Sequence, residues 1–485
     1  MNILFVYSLD DIQSPAVLLQ THQQMQFGIS YISSLLIKHG HHTKLLVTSR
    51  ILRNKNKIIL NEFINDFNPK LICFTAVATE YSFIASIAKY VKKTHEDIFL
   101  LIGGSHASLK PDEVQSGDFD ALCIGEGEYP TLELVSQLEK GLSPARIPNL
   151  WIKQGTKFEK TPPRPLIQNL DDLPFPDRQM WSKWINDKSG KVSSVLIGRG
   201  CPFNCTYCCN HALKNLASGA YVRFRSPANI VKEIKAIVNQ YPAVKEIFLE
   251  VETIAINIEW ATELCSKLRD LNATLAQPLF FGTNVRITPN AHLEELFAAF
   301  SKSNFRFVNI GLESGSERVR REILKRNYSN NDVINAVTLA RKYSLKIAFF
   351  NIIGIPGETA DDFKETVKIN KTCLPDWHMT SIFFPYPGTD LYDSCKKRGL
   401  LNEPLEVRME RKRITLDLPE FPKKQIRKAY IWFDYHVYNG FKPGYKILIH
   451  VFRTWLGTRY YLNYYYRILT GLAPFKWIKR VLKSY

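Results

Sequence analysis

Gly198-Arg-Gly-Cys201-Pro-Phe-Asn-Cys205-Thr-Tyr-Cys208 is a C-x-x-x-C-x-x-C run, and it follows directly on Ser194–Ile197, a short segment that reads as a strand. Thiolates are soft ligands that suit iron–sulfur clusters, and three of them leave one iron of a four-iron cubane without a protein ligand. Such an open iron is a binding site. The competing reading is structural zinc, which wants a fourth Cys or His to close its tetrahedron; Cys209 and His211 could supply one. The chain has nine cysteines, an odd number with four of them inside 201–209, and a disulfide framework does not look like that. Cys73, Cys123 and Cys265 lie in apolar surroundings and read as small buried hydrophobes.

Outward from this loop the chain alternates apolar strands with helical stretches. Downstream, strands are expected at Ser194–Ile197, Glu246–Glu250, Leu279–Gly282, Phe305–Gly311, Lys346–Ile352 and His378–Phe384. Helices near Pro227–Asn239, Ile258–Leu271, His292–Ser301, Glu317–Leu324, Asn331–Tyr343 and Ala360–Lys371 separate them. The pattern predicts an incomplete (β/α)6 TIM-type barrel over 191–390, with ligands held at the carboxyl ends of its strands. Upstream, strands at Ile3–Tyr7, Thr43–Val47, Leu71–Thr75, Ile98–Ile102 and Ala121–Ile124 alternate with helices near Gly28–His39, Glu62–Phe67, Tyr81–Lys93 and Tyr129–Glu139. Gly40 sits where a helix stop is expected. This predicts an α/β fold that opens with a Rossmann-like, doubly wound domain over 1–145. Five prolines crowd Thr161–Arg178, too many for a helix or a central strand, so 146–190 reads as a linker. Residues 391–485 form a basic, aromatic region expected to be helical.

At 485 residues the chain suggests two or three domains, and 45% hydrophobic with 23% charged residues is the composition of a soluble globular protein. No apolar run approaches the roughly 18 residues of a membrane span, and the first residues lack the features of a signal peptide. The expected location is cytoplasmic. The net charge is +18, and half of it lies after Asp434, where there is no acidic residue but Lys442, Lys446, Arg453, Arg459, Arg467, Lys476, Lys479, Arg480 and Lys483 are basic. Three readings of this tail compete. Its aromatics pack a helical lid over the barrel mouth, its helices lie on anionic lipid at the inner face of the membrane, or it meets nucleic acid. Nucleic acid ranks last, because apolar residues outnumber what an RNA groove requires.

The cysteine loop resembles that of the radical S-adenosylmethionine (SAM) superfamily, Cys-x-x-x-Cys-x-aromatic-Cys, with Tyr207 in the aromatic position. The resemblance implies a [4Fe–4S] cluster on Cys201, Cys205 and Cys208, with SAM chelating the open iron and being cleaved reductively to a 5′-deoxyadenosyl radical. Cys209 lies outside the pattern and receives no ligand role. Further elements resemble the family's SAM-contacting stretches at the ends of successive strands. They are Glu250 and Glu252, then Asn284 and Arg286, then Glu313 and Ser314 in Gly311-Leu-Glu-Ser-Gly315, then Gly354 and Gly357 in Gly354-Ile-Pro-Gly-Glu358. Many relatives carry adjacent acidic residues where Val251 here separates Glu250 from Glu252, so the sequence leaves open which carboxylate points inward.

Gly103-Gly104 and Gly125-Glu-Gly127-Glu128 resemble loops of the cobalamin-binding domain that precedes the barrel in one branch of this superfamily, which extends the resemblance to about residues 1–385. Residues 8–28 contain no Asp-x-His-x-x-Gly, and His22 stands six residues before Gly28, the wrong spacing, so the implied cobalamin has no histidine ligand from the protein. His106 lies near the expected corrin tail and reads as a polar residue at a helix start. The resemblance implies methylation of an unactivated carbon on a small-molecule or lipid-like substrate, fed by an external flavodoxin- or ferredoxin-type electron donor. The alternatives are cyclisation, rearrangement or oxidation in the same branch and, from another class, a non-enzymatic Fe–S or zinc protein docked by its tail. An RNA methylthiotransferase would carry a second cysteine triad in its first domain, where Cys73 and Cys123 instead stand far apart. No catalytic side chain is singled out; Tyr386-Pro-Gly-Thr389 borders the site or forms a turn.

Overall fold

Ile3–Val6, Leu71, Ile72, Leu100 and Ile102 are all buried, and such continuous apolar runs mark parallel strands covered on both faces. The computed structural model describes residues 1–9, 19, 24–185, 191–289, 292–401, 405, 407–408, 410–459 and 462. It divides into two units, Met1–Phe203 with Cys209–Val244, and Asn204–Cys208 with Lys245–Tyr485.

The first unit runs β1 (Asn2–Ser8), α1 (Phe27–Lys38), β2 (His42–Thr48), α2 (Lys55–Phe67), β3 (Leu71–Thr75), α3 (Tyr81–Thr94), β4 (Phe99–Gly103), α4 (Ser105–Leu109), α5 (Pro111–Val114), β5 (Ala121–Cys123) and α6 (Glu128–Glu139). β6 (Leu150–Gln154), β7 (Lys157–Lys160), β8 (Val192–Leu196), β9 (Gly198–Arg199), α7 (Asn210–Lys214), β10 (Arg223–Phe224) and α8 (Pro227–Gln240) follow. The first sheet has the order β2-β1-β3-β4-β5-β6-β7. β1 pairs in parallel with both β2 and β3, so the direction of winding reverses there. That is the topological switch point at which doubly wound sheets hold ligands. β6 and β7 were not expected: part of the stretch read as a linker is an antiparallel hairpin added to β5, turning at Gly155. The proline-rich segment itself forms neither helix nor strand beyond two single 3-10 turns.

Arg178, at the end of that segment, makes a buried triad with α8 and β10's flank. Its Nη2 lies 2.6 Å from Glu233 Oε1, and Arg225 Nη1 lies 2.5 Å from Glu233 Oε2, with every member almost fully buried. Glu233→Ala would leave two guanidiniums without their counter-charge, and the expected loss is about 3–5 kcal/mol, read as a lower urea midpoint.

The second unit continues with β11 (Glu246–Glu250), α9 (Ile258–Thr274), β12 (Phe280–Val285), α10 (Leu293–Lys302), β13 (Phe305–Glu313), α11 (Asn330–Lys342), β14 (Lys346–Ile353), α12 (Ala360–Cys373), β15 (Trp377–Ile382), α13 (Asp390–Lys397), α14 (Lys423–Ile431), α15 (Phe433–Tyr438) and α16 (Gly444–Gly457). Local signals place these helices: α11 and α12 each start in a capping box, Ser329 with Asp332 and Thr359 with Asp362. The sheet of this unit has the sequential order β15-β14-β13-β12-β11, the βα alternation expected from the strand pattern. β11 to β15 pair in parallel. The helix expected at Glu317–Leu324 is present, and Val319–Ile323 within it is a π turn.

The C-terminal region is helical as expected. Ile426, Phe433, Val437, Tyr438, Ile447 and Val451 join Ile353, Ile355, Phe363 and Ile382 in one apolar core. The segment from Arg459 onward that was read as lipid- or RNA-facing lies, apart from Arg459 and Leu462, outside the described residues, as does His22.

Candidate functional site

The cysteine loop is anchored by Thr206. Its Oγ1 donates to Ile323 O at 2.6 Å, and its carbonyl accepts from Leu391 N at 3.0 Å. This fastening buries Cys205, whereas Cys201, Cys208 and Cys209 are half-buried. Two guanidiniums reach the Cys205 sulfur, Arg286 Nη1 at 2.9 Å and Arg326 Nη1 at 3.9 Å. Both contacts bring guanidinium N–H donors to this one sulfur.

Arg326 organises the floor of the site. Its Nη2 donates to Gly311 O at 2.7 Å, its Nη1 donates to Tyr207 Oη at 3.1 Å, and Glu313 Oε1 lies 3.5 Å away. Burial works against its charge, but Tyr207, Tyr328 and Glu313 hold its pKa well above the usual arginine value. Burial also pushes the Tyr207 hydroxyl upward, so Tyr207 is a neutral phenol. Glu313 sits at φ 60°, left-handed for a non-glycine residue, where the register of β13 shifts. A Cβ at Gly311 would stand 2.5 Å from Glu313 Oε1, so the glycine makes room for that carboxylate.

At the end of β11 the two acidic residues differ in burial. Glu250 is half-buried and Glu252 exposed, and burial, followed by the charge of Glu252, raises the Glu250 carboxyl to about 7. Asn284 Nδ2 donates to Val251 O at 2.9 Å, while its Oδ1 accepts from Asn309 Nδ2 at 3.1 Å. The Gly354 loop is held by Glu358, whose Oε2 accepts from Gly354 N at 2.6 Å and from Ile355 N at 3.1 Å. Burial raises that carboxyl to about 8. Two expected SAM contacts are engaged elsewhere. Arg286 points its guanidinium at Cys205, and the fully buried Ser314 hydroxyl accepts from Ser316 N at 3.2 Å and lies 3.4 Å from Thr366 Oγ1, which stitches the turn to α12. Tyr386–Thr389 is a turn, with Thr389 capping α13.

In the first unit, Gly104 follows β4 at φ 97°, and a Cβ there would stand 2.7 Å from Ala76 O, so only glycine lets the two loops touch. His106 is buried in α4 against the Tyr81 ring, with centroids 4.4 Å apart, and burial lowers it to about 4, a neutral imidazole. Gly125 and Gly127 lie in a loop whose carboxylates are paired. Glu126 and Glu128 accept from Arg199 at 2.8 and 2.6 Å, and Glu126 also accepts from Arg223 at 3.1 Å. At the switch point the Ser8 hydroxyl bonds to Glu80, which pairs with Arg50 at 2.7 Å. Cys73, Cys123 and Cys265 are buried, with thiols pushed up by burial, as small apolar side chains should be.

Among the described residues no three His, Cys, Asp or Glu side chains gather to hold one metal ion. A cubane makes a different demand, since its thiolates bind separate irons. Cys205 between two guanidiniums fits a cluster thiolate, and the desolvated Glu250 carboxyl fits an ammonium. Glycine-walled loops at the carboxyl ends of β4 and β5 fit a large cofactor.

Residues 195–369 match the family model of the Radical SAM superfamily, and residues 21–135 match that of the B12 binding domain. The chain belongs to the radical SAM superfamily, in its B12-domain branch. Among its relatives, this radical SAM chain is 28% identical over 417 residues to an uncharacterised methyltransferase of Pyrococcus horikoshii, covering 84% of this chain and 87% of that one. It is 25% identical over 375 residues to the anaerobic magnesium-protoporphyrin IX monomethyl ester cyclase of Rubrivivax gelatinosus, covering 75% and 65%. Its fold matches that of the radical SAM methyltransferase TsrM of Kitasatospora setae, solved with cobalamin and a [4Fe–4S] cluster, with a TM-score of 0.65, 17% identity and coverage of 83% and 79%. Sequence reading missed Arg326, Arg199, Arg223 and Glu126, whose partners lie far along the chain. The one local hint was Arg199 inside Gly198-Arg-Gly200.

Proposed function

We propose that this protein is a cobalamin-dependent radical SAM methyltransferase acting on an unactivated carbon of a small-molecule or lipid-like substrate. The observation that carries it is the buried Cys205 sulfur between Arg286 and Arg326, in a chain that also carries a B12 binding domain. When bound, the cluster and SAM supply a 5′-deoxyadenosyl radical that takes hydrogen from carbon, and cobalamin supplies the methyl group. Cys201, Cys205 and Cys208 would hold the cluster, Arg286 and Arg326 hold the Cys205 sulfur in place, and Glu250 would receive the SAM ammonium. Arg326 keeps Tyr207 and Glu313 in place, and Glu358 fixes the backbone of the Gly354 loop against which adenine would lie. Gly103, Gly104, Gly125 and Gly127 would line the cobalamin side. An external flavodoxin- or ferredoxin-type donor supplies electrons, and the C-terminal region contacts a membrane surface; among the described residues no helix is long and apolar enough to cross one. The relationship to a cyclase supports a second reading, ring closure without methyl transfer.

Incubation with SAM carrying a deuterated methyl group, cobalamin and a reductant tests the two. Labelled methyl in a carbon-bound product supports the first, and a product without label overturns it. Glu250 supplies a further expectation. Its folded pKa of about 7 lies above the ordinary carboxylate value, so folding favours the protonated form and that contribution fades as pH rises through 7. The SAM ammonium needs the ionised form. SAM affinity should therefore rise about tenfold between pH 6 and pH 8, and Glu250→Gln should flatten this profile in equilibrium titrations.

A further inference from the structure

α16 carries two apolar stripes where an ordinary amphipathic helix carries one. Ile447 and Val451 face the core at 3% and 7% exposure. A second stripe faces outward: Phe441, just before the helix, then Tyr445, Leu448 and Phe452, at 56%, 56%, 53% and 52% exposure. Within α16, spacings of three and four residues place Tyr445, Leu448 and Phe452 on one face, with Phe441 in the turn that leads into the helix. Large exposed apolar stripes on a folded chain mark an interaction surface.

Charge selects the partner. Lys442, Lys446 and Arg453 stand along the flank of the stripe and Arg459 just beyond its end, and no acidic residue follows Asp434. The cations are set against rings, with Lys442 Nζ 3.4 Å from the Tyr438 ring and Arg459 4.3 Å from that of Trp455. An apolar, aromatic face edged by cations is complementary to an anionic bilayer, the rings sinking below the headgroups and the cations remaining among the phosphates. A single-stranded nucleic acid asks instead for ring faces spread along a groove, and Leu448 offers none.

We infer that the outward face of α16, from Phe441 to Phe452, docks this protein onto an anionic phospholipid surface. This rests on the peripheral membrane contact proposed above and names the surface that makes it. The full chain should sediment with vesicles of phosphatidylcholine and phosphatidylglycerol but not with phosphatidylcholine alone, and salt should weaken the association. The double variant Leu448→Ser with Phe452→Ser changes only exposed side chains, so it should melt at the same temperature yet bind the anionic vesicles at least about tenfold more weakly. A full chain that ignores anionic vesicles, or that retains RNA in their presence, overturns the inference together with the membrane contact. Binding that survives the double variant unchanged overturns the assignment to α16 and leaves membrane contact standing.

Discussion

Cys205→Ala is expected to reduce cluster retention and SAM cleavage at least about a hundredfold, beyond the 10- to 100-fold typical of losing a group that only supports a metal ligand. Of the three cysteines in the motif this one is buried, with Arg286 and Arg326 at its sulfur. Alanine removes the ligand, so restoring iron and sulfide would not rescue it. Iron and acid-labile sulfide after anaerobic reconstitution give the measurement. Cys265→Ala is the contrast: Cys265 is buried in α9 among apolar side chains, and its variant should keep its full iron content.

Arg326→Met should be the most damaging change that leaves every cysteine in place. The methionine fills much of the volume, but the Glu313 carboxylate loses its counter-charge, and the Gly311 carbonyl and the Tyr207 hydroxyl each lose the guanidinium donor. Removing one partner of a buried pair costs about 3–5 kcal/mol, which lowers the melting temperature by roughly 10 °C. A second effect separates this residue from a merely structural one. Loss of a cation beside the Cys205 sulfur makes the cluster harder to reduce, so its midpoint potential should fall, while Arg326→Lys, which keeps the charge and loses the fork, should recover most of the potential and less of the stability. Potentiometric titration followed by electron paramagnetic resonance reads the first, and thermal melting the second.

Local pattern placed the elements well where signals are local. Leu71–Thr75 and Glu246–Glu250 have the bounds expected of them, because each is a short apolar run between polar neighbours. α2 begins at Lys55, seven residues before the expected Glu62, because Asn54 makes no capping bond and the first turn has no acidic residue to announce it. The hairpin of β6 and β7 was hidden by the prolines that follow it. The cysteine loop and its flanking motifs were legible because ligand spacing is written along the chain. What surrounds Cys205 was not: Arg286 and Arg326 lie 81 and 121 residues from it in sequence, and only the fold brings them to the sulfur. The same holds for Arg199, which meets Glu126 and Glu128 over 73 and 71 residues. The acidic pair was not legible because β11 stops at Glu250, so Glu252 lies past the strand in a bend where strand alternation says nothing of its direction.

The most direct test is to purify the chain without oxygen, reconstitute it with iron, sulfide and cobalamin, desalt it, and quantify retained corrin together with 5′-deoxyadenosine formed from SAM and dithionite. Stoichiometric corrin with deoxyadenosine that disappears in Cys201→Ala is the predicted result. A chain that holds neither cluster nor SAM contradicts the radical SAM assignment, and one that forms deoxyadenosine but retains no corrin contradicts cobalamin-dependent methyl transfer.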